Sequence, residues 1–252
     1  MKRKELEQIL NDLLQPHLIK DFCPNGLQVQ GSEEISKIVS GVTATEALID
    51  KAIEIGADTI FVHHGYFWKN EHQPITGMKY RRIQKLIANN INLFAYHLPL
   101  DIHPELGNNA QLAKLLGIKP TGPLELGNPT SVGVQGELPF GIDGESFKAL
   151  ISNKLDRECL HIAAPSNKTI KTVAWCTGGG QGYIDLAASQ GIDAYITGEA
   201  SEQTTHVARE MDIHFFAAGH HATERYGAKA VGEHLVTEFG LDVTFIDIDN
   251  PV

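Results

Sequence analysis

His63 and His64 stand where the apolar run Thr59 to Val62 ends, and Gly65 follows them. Adjacent imidazoles of this kind are candidate metal ligands. Successive side chains of an extended strand point to opposite faces, so two neighbouring rings converge only where the backbone begins to turn, an arrangement that suits two ions better than one. Taken alone, the pair reads as well as two unrelated polar residues in a loop. The other polar groups of the chain decide between the readings.

Three further stretches offer such groups. His97-Leu98-Pro99-Leu100-Asp101 follows the apolar run Ile91 to Tyr96, Thr197-Gly198-Glu199 closes another run, and Gly219-His220-His221-Ala222-Thr223-Glu224 closes a fourth. If a helix begins near His221, His220 and Glu224 lie four residues apart on one face, where imidazole and carboxylate can share an ion. The plain alternative is a solvated Glu224 paired with a neighbouring cation while both histidines cap the helix.

Composition limits what the site can serve. The chain of 252 residues is 42% hydrophobic, enough for one large domain or two ordinary ones. Its 21 Lys plus Arg against 31 Asp plus Glu give a net charge of −10, which argues against nucleic acid and anionic membranes as partners. Cys23, Cys159 and Cys176 form no close pair, as expected in a reducing compartment. The charged stretch Met1 to Leu14 does not read as a secretory segment, and no run reaches the roughly 18 apolar residues of a membrane span. The expectation is a cytoplasmic protein without a membrane partner.

The elements that must position these groups alternate. Ile38 to Val42 reads as a strand, Thr45 to Ile55 as a helix capped by Thr45, and Thr59 to Val62 as a second strand. A helix from Met78 to Asn89 then leads to Ile91–Tyr96. Such crossovers imply parallel strands with helices packed on them and ligands at the strand carboxyl ends. The second half repeats the first: Gly191 to Glu199 falls on Gly56 to His64 with an offset of 135, Lys171 to Ala174 on Lys37 to Ser40, and Ile213 to His220 on Ile91 to Leu98. The Pro- and Gly-rich stretch around residue 125 suggests two units, 1–125 and 126–252, with the C-terminal helix and strand packing back on the first. Asn108 or Asn109 is expected to cap a helix over 110–116. The fold class is α/β: two intertwined, internally repeated α/β units with mixed, mainly parallel sheets.

The four polar stretches, in this order and spacing, resemble the NIF-three-like family, also catalogued as GTP cyclohydrolase I type 2 homologues. Asn25-Gly26-Leu27-Gln28-Val29 and Gly107-Asn108-Asn109 are similar to family signatures as well. The likeness covers nearly the whole chain and matches the short bacterial form, with no room between the halves for an extra domain. It implies a dinuclear centre of two divalent ions with His63, His64, Asp101, His220 and Glu224 as ligands, and a homohexameric ring. It also places His97 and Glu199 beside the site, as catalytic or substrate-contacting residues.

Five protein ligands leave open positions on two ions, which marks catalytic rather than structural metal. Imidazole and carboxylate donors suit zinc, iron, manganese, cobalt or nickel. The expected chemistry is hydrolysis of a small anionic or nucleotide-like molecule by a metal-bound hydroxide, with His97 shuttling its proton. A phosphoesterase or amidohydrolase, and a non-catalytic metal-binding ring that recruits partners, are the alternatives. The spacing assigns no role to His103, His206 or His221.

Overall fold

The computed structural model describes residues 1–252. The chain forms two compact units, Met1–Gly107 with Gly227–Asp249, and Asn108–Tyr226 with Asn250–Val252.

In the first unit, five strands lie in the order β1 (Gly26–Val29), β4 (Asn92–Ala95), β3 (Thr59–His64), β2 (Lys37–Thr43), β11 (Asp242–Phe245). All neighbours run parallel except β1 against β4. Side chains alternate between two covered faces. Val39, Ile60, Val62 and Leu93 pack with Leu48 of α2 (Glu46–Glu54) and Leu86 of α3 (Gly77–Ala88). Ile38, Phe61 and Phe94 pack on the other face with Leu6 and Leu10 of α1 (Arg3–Leu14) and Val231 and Leu235 of α9 (His220–Phe239). A sheet buried on both faces needs apolar residues at every step, which is why these strands read as unbroken runs. Thr45 caps α2 as its spacing predicts, its hydroxyl accepting from the Leu48 amide at 3.2 Å.

The second unit holds six strands in the order β5 (Lys119–Pro123), β6 (Val134–Ile142), β8 (Ile170–Cys176), β9 (Ala194–Thr197), β10 (His214–Ala217), β7 (Leu160–Ile162). The β8-β9-β10 core is parallel and the outer pairings are antiparallel. Val173, Trp175, Ile196 and Phe216 face α5 (Asn108–Leu116) and α6 (Gly144–Leu155); Ala174, Tyr195 and Phe215 face α7 (Ile184–Ser189) and α8 (Glu202–Glu210). Leu112 and Leu116 of α5 thus belong to this core, so the units divide at Gly107 and Asn108 rather than near residue 125. Asn108 and Asn109 lie inside α5 instead of capping it. The buried Asn109 amide donates to the Val132 carbonyl at 2.9 Å and accepts from the Thr177 amide at 3.1 Å.

The internal repeat has a structural anchor. Asp58 Oδ2 accepts from the amides of Ser36 and Lys37 at 2.7 and 3.2 Å, and Asp193 Oδ2 accepts from those of Lys171 and Thr172 at 3.1 and 2.9 Å. Ile38 pairs with Thr59 where Val173 pairs with Ala194. The offset of 135 therefore extends to β2 and β8, and Lys37 matches Thr172, one residue beyond the Lys171 suggested by residue identity. No helix is long and apolar enough to cross a membrane.

Candidate metal centre

His63 and His64 finish β3 with their ring centroids 4.4 Å apart. The strand is still paired at His64, opposite Thr43, so it runs two residues beyond the Val62 end read from the sequence. Gly65 is required there because a Cβ would lie 2.2 Å from Gln28 Oε1, which accepts from the Tyr66 amide at 2.7 Å.

The His63 ring is buried, and its Nδ1 lies 3.1 Å from the Tyr96 carbonyl oxygen. A carbonyl only accepts, so Nδ1 carries the hydrogen and the Nε2 lone pair points away from it, 3.5 Å from Asp101 Oδ1. Asp101 sits on α4 (Leu98–Ile102), a short helix with Pro99 in its first turn that hydrophobic periodicity does not reveal. His97 precedes it by one turn, the Asp101 amide donating to the His97 carbonyl at 3.2 Å. Thr43 Oγ1 lies 3.1 Å from His64 Nδ1.

His97 joins the pair, with its ring centroid 5.1 Å from that of His63 and 5.8 Å from that of His64. One ring nitrogen of each of the three lies within 4.8 Å of the others, close enough to hold an ion. Asp21, Cys23 and His97 form a second such group. There, burial and the Asp21 charge push the Cys23 thiol up to about 12, so at neutral pH it is a poor ligand. Asp21 itself is held below the usual carboxylate range: burial pushes it up, and hydrogen bonds from His97, Asn25 and the Phe22 amide outweigh that.

In the second unit His220 opens α9, and Glu224 follows one turn later with Oε2 3.3 Å from His220 Nε2, as their spacing predicts. Glu199, just beyond β9, places Oε1 2.6 Å from His220 Nδ1. The Glu224 interaction, and then that of Glu199, raise His220 to about 9 against the opposing effect of burial. Gly178 lies against this group with φ +67°, and a Cβ on it would come 2.0 Å from Glu224 Oε1 and 3.0 Å from His220 Nε2.

These residues fit divalent metal. Two donors at zinc bond lengths and the tetrahedral angle lie about 3.3 Å apart, which matches the 3.5 Å and 3.3 Å separations of His63 Nε2 from Asp101 and of His220 Nε2 from Glu224. His63 and His220 also direct Nδ1 at a fixed acceptor, the outer bracing that orients metal-ligating imidazoles. The five candidate donors were named at the level of sequence and family likeness, whereas Asp21, the Tyr96 carbonyl and Gly178 were not, because their contacts are made by folding rather than by spacing. Of the unassigned histidines, His103 Nδ1 accepts from the Leu106 amide at 3.0 Å, His206 is exposed on α8, and His221 is buried.

A family model described as Duf34/NIF3 (NGG1p interacting factor 3) matches residues 1–251. A Vibrio cholerae protein named "GTP cyclohydrolase 1 type 2 homolog" is 61% identical over 253 residues, covering all of both chains. Among solved structures, "protein ybgI, unknown function" superposes with a TM-score of 0.95 at 54% identity, and TTHA1606 from Thermus thermophilus with 0.89 at 32%, each covering all of both chains. This chain belongs to the DUF34/NIF3 family.

Proposed function

We propose that the chain binds two divalent metal ions, with His63, His64, Asp101, His220 and Glu224 as ligands, and hydrolyses a small anionic, nucleotide-like molecule. The observation that carries this reading is the bracing of His63 and His220, each with Nδ1 on a fixed acceptor and Nε2 facing a carboxylate. When bound, the ions supply Lewis acidity and acidify water near neutral pH.

The other tasks fall to the chain itself. His97 stands beside the His63 and His64 rings and takes a proton at Nε2, since its Nδ1 is bound to Asp21. Trp68 packs against His97 with the two rings nearly perpendicular and their centroids 4.9 Å apart. Glu199 holds His220 in orientation. The name of the Vibrio cholerae relative makes GTP the first substrate to test, with hydrolysis of the purine ring as the reaction. By the same family likeness we propose a homohexameric ring, which light scattering would report as six times the chain mass.

Elemental analysis and turnover of a nucleotide and ester panel test the reading together. Two ions per chain, with turnover lost in His63→Ala, are expected. Fewer than one ion in metal-replete protein removes the metal site. Two ions with turnover that survives His63→Ala and Asp101→Ala combined removes the hydrolase.

A further inference from the structure

Asp21 lies in the segment between α1 and β1 that otherwise reads as a plain turn, yet its side chain is 3% exposed. Four donors bind its carboxylate, and the Cys23 thiol stands nearby. Oδ1 accepts from His97 Nδ1 at 2.7 Å and from the Phe22 amide at 2.6 Å; Oδ2 accepts from Asn25 Nδ2 and the Leu98 amide, both at 2.9 Å. Asn25 Oδ1 in turn accepts from the His97 backbone amide at 2.7 Å. With both oxygens engaged the carboxylate cannot rotate, and the backbone that carries the His97 ring is clamped from the same loop.

We infer that Asp21 is the positioning residue of His97, fixing its imidazole as the Nδ1–H tautomer so that Nε2 presents a lone pair on the side of His63 and His64. A carboxylate has no hydrogen to give, so only this tautomer satisfies the 2.7 Å contact. Solvated neutral imidazole has no such constraint, and the opposite tautomer would leave Nε2 unable to accept a proton.

The consequence for catalysis rests on the hydrolytic reading above. There, an O–H bond of the attacking water breaks, its proton passes to His97 Nε2, and the oxygen electron pair forms the new bond to the electrophilic carbon or phosphorus of the substrate. The bond from that carbon or phosphorus to the leaving group then breaks, its electron pair stays on the leaving group, and His97 returns the proton to it. Asp21 touches none of the reacting atoms and acts only through the ring it holds.

The tautomer is measured directly by 15N NMR of metal-free protein at alkaline pH, where imidazole is neutral, with the His97 signals assigned by their loss in His97→Gln. The wild-type protein is expected to show Nδ1–H at His97, and Asp21→Ala to shift it towards Nε2–H. An Nε2–H tautomer in the wild type overturns the inference even if the variant fails to fold. So does an unchanged tautomer in folded Asp21→Ala. In turnover assays Asp21→Ala is expected to lower kcat about 100-fold with KM and metal content unchanged. If the wild type turns over nothing, the hydrolytic reading falls while the NMR result still decides the role of Asp21.

Discussion

Glu199 Oε1 lies 2.6 Å from His220 Nδ1, and Glu224 Oε2 lies 3.3 Å from the opposite nitrogen of the same ring. An imidazole held between two carboxylates keeps its proton well above neutrality, here to about 9. Metal must therefore displace a proton to reach Nε2. Titrating zinc into metal-free protein at pH 7.5 in buffers of different ionisation enthalpy should reveal this release. In Glu224→Gln the His220 titration should fall by on the order of one pH unit, and more than in Glu199→Gln.

The same shift acts on stability. A histidine whose folded pKa is raised contributes stability that is complete below its unfolded value and is lost as pH rises through the folded one. Urea midpoints of metal-free protein should decline between about pH 6.5 and the His220 value of about 9. Glu224→Gln should flatten that alkaline limb.

His161 produces the opposite limb. Its nearly buried ring lies 3.0 Å from His214 Nδ1 and stacks on Phe216 at 4.5 Å. Burial lowers its pKa, with His214 and Lys148 adding to the effect, and the exposed Glu145 carboxylate offsets it only in part. A lowered histidine pKa stabilises the fold above the unfolded value, and that contribution disappears as pH falls below about 6.5. Asp21 and Asp193, whose pKa values are also lowered, act only below about pH 4. A decline between these values that disappears in His161→Phe would confirm the assignment; one that persists would refute it.

Gly178 and Gly56 provide a matched pair. Both adopt left-handed backbone, φ +67° and +70°, but a Cβ on Gly56 meets nothing within 4 Å whereas one on Gly178 collides with Glu224. Alanine at either position should destabilise the fold by about 1–3 kcal/mol through backbone strain. Only Gly178→Ala should also weaken metal binding, by roughly 10- to 100-fold. Thermal melts and metal titrations of the two variants separate strain from displacement of a ligand.

Local spacing made the alternating elements and the His220–Glu224 pair legible, because a strand buried on both faces and a single helical turn each leave a pattern a few residues long. It could not show that Asp21 bonds His97 across 76 residues. Nor did it disclose α4, whose five residues are too few for a periodic signal. The register of β2 against β8 was read one residue short because two lysines look alike, while the backbone follows the clamps of Asp58 and Asp193.

The Tyr96 carbonyl sets the His63 ring before any ion arrives. Rotamer freedom worth about 0.5–1.5 kcal/mol for such a side chain is then surrendered in folding rather than on binding. Imidazole and carboxylate donors bind divalent first-row metals in a general order with copper(II) highest and manganese lowest, so availability rather than affinity decides which ion is held. On the proposed metal reading, the same polypeptide grown under different metal supply should be isolated with different metals, which elemental analysis would report.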